Sequence, residues 1–176
     1  MKNLVLVLLL SLVSCKSYID TKKSKDTYKE LEFTYNSNYN TLTISSRLPA
    51  IADHQILNSQ KFSINIPINI VNWSIINTKY IIEYDDKQII VIDAEYVEDV
   101  TNASNWNLID TEDDTVYSTL YTYFEDNNYS YDTLESTKKH RITKILTDGK
   151  VKIILFNIKE KKINNYVNLL KSISYF

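Results

Sequence analysis

The chain has 176 residues, 44% of them hydrophobic, with Lys+Arg 20 against Asp+Glu 22, enough apolar surface for one domain with its own core and no excess of cations for a nucleic acid. Its single glycine excludes the phosphate-cradling loops of dinucleotide and P-loop sites and the nucleophile elbow, which need several glycines for close backbone approach. Its single cysteine leaves no thiol pair for a disulfide, a redox couple or a thiolate metal site.

A cationic start, Met1-Lys2-Asn3, precedes an apolar run over residues 4–13 interrupted only by Ser11. That is the layout of a secretory signal, and at about half of the roughly 20 apolar residues a spanning helix needs it is too short to cross a bilayer. The run ends in Leu12-Val13-Ser14-Cys15, which resembles the lipobox of bacterial lipoproteins. The resemblance implies removal of residues 1–14 as a signal peptide and lipidation of Cys15, with a diacylglyceryl group on sulfur and an acyl chain such as palmitate on the amine. Two or more chains give lasting attachment, so Cys15 would hold the protein on the non-cytoplasmic side of a membrane without a membrane helix. Lys16 is not the aspartate that retains lipoproteins in the inner membrane of some two-membrane bacteria, so the same resemblance favours the outer membrane in such a host.

Residues 16–40 are mostly polar, with Lys22, Lys23, Lys25 and Lys29 among acids and hydroxyls, and read as a flexible tether. The expected organisation is therefore signal peptide 1–14, lipidated cysteine and tether 15–40, and globular domain 41–176. Residues 28–33 could form a short helix within the tether. Thr41-Leu42-Thr43-Ile44 alternates as a strand, and residues 50–58 read as a helical turn or an irregular connection. Phe62, Ile64, Ile66 and Ile68 then line one face of a strand that ends near Pro67 or lies at an edge, since proline cannot donate to a ladder. Strands over 73–76, 79–84 and 88–92 follow, with Asp85-Asp86-Lys87 as the turn between the last two. The continuous run Ile89-Ile90-Val91-Ile92 requires cover on both sheet faces, and helices are the expected cover. Residues 95–106 read as loops.

From Thr111 the period changes to that of a helix, with Val116, Leu120 and Phe124, together with Tyr117 and Tyr121, forming an apolar stripe. Residues 141–147 and 150–158 read as a hairpin joined by Asp148-Gly149, a pair that tolerates positive φ at both turn positions. A closing helix over 161–174 would turn Ile163, Tyr166, Val167, Leu170 and Ile173 to the sheet. The fold class is thus α+β, a single domain of mainly antiparallel sheet covered by an internal and a C-terminal helix.

Two stretches carry a further resemblance. Phe62-Ser63-Ile64-Asn65-Ile66-Pro67 followed by Asn72-Trp73-Ser74, and the ending Leu170-Lys171-Ser172-Ile173-Ser174-Tyr175-Phe176 after a hairpin, resemble the opening and closing of Mog1/PsbP-like domains, including small lipoproteins of the DcrB type. The resemblance spans residues 58–176 and implies an antiparallel sheet covered by helices. The inserted Ile68-Asn69-Ile70-Val71 departs from its spacing. Members do different work, so it implies no activity.

Candidate chemistry is sparse. Asp110, Glu112, Asp113 and Asp114 suggest calcium, but an EF-hand register would place Thr115 where glycine belongs and Tyr121 where glutamate belongs, and the start of a helix accounts for these acids. His54 and His140 lack a second ligand at metal spacing, and neither belongs to a nucleophile motif. No cofactor or metal is expected. Tyr117, Tyr121, Tyr123, Tyr129 and Tyr131 crowd one region and are the candidate partner-binding residues, able to stack on a glycan or an envelope protein if they face solvent. Charge is unevenly placed: residues 83–132 hold 14 acids and one base, and residues 133–176 hold 3 acids and 10 bases. The reading that follows is a lipid-anchored envelope lipoprotein with a non-enzymatic accessory or binding role. The alternatives are a small envelope hydrolase, and an immunity or inhibitor protein that uses the acidic segment 83–132.

Overall fold

The computed structural model describes residues 17–28, 31–45, 49–52, 55–58, 61–94, 105–111, 113–130 and 139–176. A five-stranded antiparallel sheet is built from β1 (Lys25–Tyr28), β2 (Leu31–Tyr35), β3 (Asn40–Ile44), β6 (Phe62–Ile66) and β13 (Ser174–Tyr175), in that spatial order. A six-stranded antiparallel sheet has the order β10 (Asn107–Asp110), β11 (Arg141–Thr147), β12 (Lys152–Lys159), β9 (Gln88–Asp93), β8 (Lys79–Tyr84), β7 (Ile70–Ile76). β4 (Pro49–Ala52) and β5 (Gln55–Asn58) form a separate antiparallel pair where a turn or irregular connection is expected. Helix α1 spans Asp113–Asp126 and helix α2 spans Glu160–Leu170. Sheets and helices make a single α+β domain.

The two sheets face one another. Leu31, Phe33, Leu42, Phe62 and Ile64 from one pack with Tyr80, Ile82, Ile90, Ile92 and Leu155 from the other, and α2 adds Tyr166, Val167 and Leu170. Phe62 meets Tyr80 edge-on at 5.9 Å and Phe33 meets Trp73 at 5.2 Å, ring to ring across the layers. The opposite face of the six-stranded sheet carries Ile81, Ile89, Val91, Ile154 and Phe156, and α1 covers it with Val116, Leu120, Tyr123 and Phe124. The strand Ile89-Ile90-Val91-Ile92 is therefore buried on both sides, by a helix on one and by a second sheet on the other.

The expected tether is corrected most. From Ile19 the chain is built into the domain: β1 and β2 lie within residues 15–40, and Leu31, Phe33 and Tyr35 are buried. The physical reason is visible in Leu31-Glu32-Phe33-Thr34-Tyr35, whose period-2 alternation puts three apolar side chains on one strand face. Each such burial contributes about 1.5–3 kcal/mol, which offsets the ordering of a polar segment. Strand β10 likewise occupies residues beyond the expected loops, its side chains exposed at the sheet edge.

Two further boundaries move. Helix α2 stops at Leu170, and Ser174–Tyr175 forms strand instead, Tyr175 pairing with Phe62 and its hydroxyl donating to Asp148 Oδ2 at 2.9 Å. The β11–β12 connection is longer than a two-residue turn, since Thr147 pairs with Lys152. Gly149 takes φ 92° as expected of glycine. Asp148 is held by its carboxylate, Oδ1 accepting from the Lys150 and Val151 N–H groups at 2.9 and 3.0 Å.

Candidate functional site

Because β12 lies between β11 and β9, the start of β11, the end of β12 and the start of β9 come side by side, and Arg141 pairs with Lys159. The Asp85–Lys87 turn caps this end, with Asp86 and Lys87 at φ 58° and 57°. Asn157 pins it there. Within β12 its backbone takes φ 56°, a conformation asparagine tolerates better than most residues, and its amide donates to the Asp86 and Lys87 carbonyls at 3.1 and 3.0 Å. Arg141 Nη1 donates to the Asn157 carbonyl at 2.9 Å, and Arg141 Nη2 lies 3.5 Å from Asp86 Oδ2. Lys159 Nζ meets the same Asp86 oxygen at 2.5 Å. The Glu160 N–H opens α2 by donating to the His140 carbonyl at 3.1 Å.

These residues line a cleft of about 720 Å³, with Asp86, Arg141 and Lys159 joined by Lys139, His140, Glu160 and Lys161. Four lysine and arginine side chains face two carboxylates, a net of two positive charges with His140 neutral. Arg141, only 10% exposed, is committed to Asp86 and Asn157 and forms the rigid floor. Lys139 and Lys161 are exposed at the rim. Beside them Lys162 is held below the ordinary lysine range by burial first and by Lys159 next, with Asp85 and Asp86 acting the opposite way. A fixed cationic floor with exposed ammonium groups above it suits an anion. His140 stands 75% exposed, its Nδ1 3.8 Å from Glu160 Oε2, a pairing worth little in water. His54 lies outside the described residues, as does Cys15.

The tyrosine cluster folds largely inward. Tyr123 is 1% exposed and its hydroxyl donates to Glu83 Oε2 at 2.7 Å. The Tyr129 hydroxyl donates to Glu83 Oε1 and Oε2 at 2.9 and 3.0 Å. Lys87 completes the cage, its Nζ 3.5 Å from Glu83 Oε1 and 3.4 Å above the Tyr129 ring. Burial first, and the hydrogen bond to Glu83 second, raise both phenols well above their ordinary range. Tyr117 packs on Phe124 and Phe156. Tyr121, at 60% exposure, is the one of these tyrosines that stands in solvent among the described residues, and Tyr131 lies outside them. The contiguous aromatic platform that would stack on a partner is therefore not presented by Tyr117, Tyr123 and Tyr129, whose rings fill the space between α1 and the sheet.

The acidic segment is partly paired within the fold. Asp86 pairs with Arg141 and Lys159, and Asp110 with Lys144, so bases of the C-terminal third offset part of it, while Asp93 pairs with Lys79. The cleft escaped sequence reasoning because its lining comes from three separate stretches. The run Lys159-Glu160-Lys161-Lys162 and the pair Lys139-His140 were its only linear trace. No family model matches the chain, and no curated protein or solved structure matches it. Among the described residues no helix is long and apolar enough to cross a membrane, and no group of metal-ligating side chains gathers.

Proposed function

We propose that this chain is a lipid-anchored cell-envelope protein with a non-enzymatic binding role, attached through Cys15 and recognising its partner chiefly through charge. The observation that carries the reading is the position of the lone cysteine, at the end of the apolar run in Leu12-Val13-Ser14-Cys15. The short distance from there to the folded chain supports it. Tyr18 donates to Asp85 Oδ2 at 2.6 Å, and the Asp20 carboxylate accepts from Asn40 Nδ2 at 2.7 Å and from the Asn69 and Ile70 N–H groups at 2.7 and 3.1 Å. An acylated Cys15 would then hold the domain flush against the bilayer, on the outer membrane in a host that has two. The likeness to Mog1/PsbP-like domains belongs to this proposal, supported by the β6 strand ending at Ile66, just before Pro67, and by the hairpin followed by α2. The five-stranded sheet adds a layer that the likeness does not imply.

Intact-mass analysis of the native N-terminal peptide tests the anchor. The expected result is a chain beginning at Cys15 with diacylglyceryl and acyl additions, and Cys15→Ser shifts the protein from the detergent phase to the aqueous phase of a phase-separated extract. An unmodified thiol, or cleavage elsewhere, overturns the reading.

A further inference from the structure

Tyr18, three residues from Cys15, is fastened to Asp85, and Asp85 adjoins Asp86 in the cleft wall. Three extended residues span at most about 11 Å, so acyl chains on Cys15 would tether Tyr18, and with it the cleft wall beside Asp85, close to the headgroups. Lys139 and Lys161 are exposed at its rim, above a floor where Arg141 and Lys159 share Asp86.

We propose that this cleft docks the phosphate of an anionic phospholipid headgroup, with Lys139 and Lys161 contacting the phosphate and the Arg141–Asp86–Lys159 group holding the floor in shape. The inference rests on anchorage at Cys15. The lipid is the occupant to which the geometry points, because the chain's own attachment point brings the membrane to the cleft, and its phosphate has the charge that the net positive lining favours.

The test uses the mature chain from residue 15 with Cys15→Ser, which keeps every described element and removes acyl attachment. It is sedimented with vesicles of phosphatidylcholine, with and without phosphatidylglycerol. The expected result is binding only to the phosphatidylglycerol vesicles, weakening as salt is added. A lysine beside an anionic surface contributes about fivefold to partitioning, so Lys139→Glu with Lys161→Glu lowers binding by about tenfold or more. Lys150→Glu with Lys171→Glu, matched in charge but outside the cleft, binds better than the rim pair. Circular dichroism checks that each variant is folded. Equal binding to both vesicle types, or equal loss in the two double variants, overturns the proposal. So does wild-type binding of inorganic phosphate that abolishes vesicle binding, which would make the occupant a soluble anion. Acylated native Cys15 with no preference for phosphatidylglycerol defeats the headgroup inference alone. An unmodified native Cys15 defeats the anchor, and the inference with it.

Discussion

Glu83 shows how a polar group is made safe inside this protein. At 3% exposure its carboxylate is removed from water, a cost met by two phenol donors and the Lys87 ammonium. Hydrogen bonds to a charged acceptor are worth about 1.5–3 kcal/mol each, so Tyr123→Phe is expected to lower the urea-unfolding free energy by that amount. Tyr121→Phe should change it by less than about 0.5 kcal/mol, since Tyr121 is 60% exposed and its hydroxyl donates to Glu125 within its own helix. Equal losses in the two variants would mean that the cage around Glu83 contributes nothing. The same contacts set an alkaline limit. Tyr123 and Tyr129 are held as neutral phenols well above their ordinary value of 10.0, so folding keeps protons that the unfolded chain releases. Their contribution is complete below about pH 10 and is lost as pH rises beyond it toward the raised folded-state values. Unfolding free energy measured against pH should fall above about 10, with phenolate absorbance rising together with the loss of structure, and the fall should be shallower in Tyr123→Phe.

At the scale of elements, what could be read from the sequence followed periodicity. β6, β8, β9 and α1 were legible because Phe62-Ser63-Ile64-Asn65-Ile66 alternates, Ile89-Ile90-Val91-Ile92 is continuous, and Val116, Leu120 and Phe124 recur at helical spacing. β2 carries the same alternation but sits among lysines and hydroxyls, and the average polarity of residues 16–40 hid it. β10 and β13 were illegible for another reason: four and two residues hold no period, and tertiary pairing alone makes them strands. The candidate cleft was the least legible, because strand order, invisible in a linear pattern, brings Asp86, Arg141 and Lys159 together. Since β1 and β2 belong to the fold, a chain starting at Thr41 should fail to fold, whereas one starting at Ser17 should melt cooperatively; Phe33 alone, at 1% exposure, is worth about 3–5 kcal/mol on truncation to alanine. Cooperative melting of the shorter chain would restore the tether reading. At the β11–β12 connection, Asp148→Ala removes the acceptor for the Lys150 and Val151 N–H groups and for the Tyr175 hydroxyl, and should cost about 1–3 kcal/mol in chemical denaturation. Asp148→Asn, which keeps an acceptor oxygen, should recover most of it.

For the whole molecule, the apolar residues divide between two interiors, one between the sheets and one beneath α1, and the six-stranded sheet serves both. Its charges divide in a similar way. Acids of the middle segment meet bases of the C-terminal third at Asp86–Lys159, Asp86–Arg141 and Asp110–Lys144, which accounts for a near-neutral total built from strongly unequal parts. Asp110–Lys144 and Asp86–Lys159 are partly exposed pairs, individually weak and screened by salt, so added sodium chloride should move thermal stability little while weakening any ligand held by charge in the cleft. The five-stranded sheet has one more implication. Its outermost strand, Ser174–Tyr175, docks on β6, and Ser172 Oγ accepts from the N–H of Asn65, 107 positions upstream. A seam that joins positions 107 apart closes only after a long loop has been ordered, so it should form late in folding, once the local hairpins are already paired.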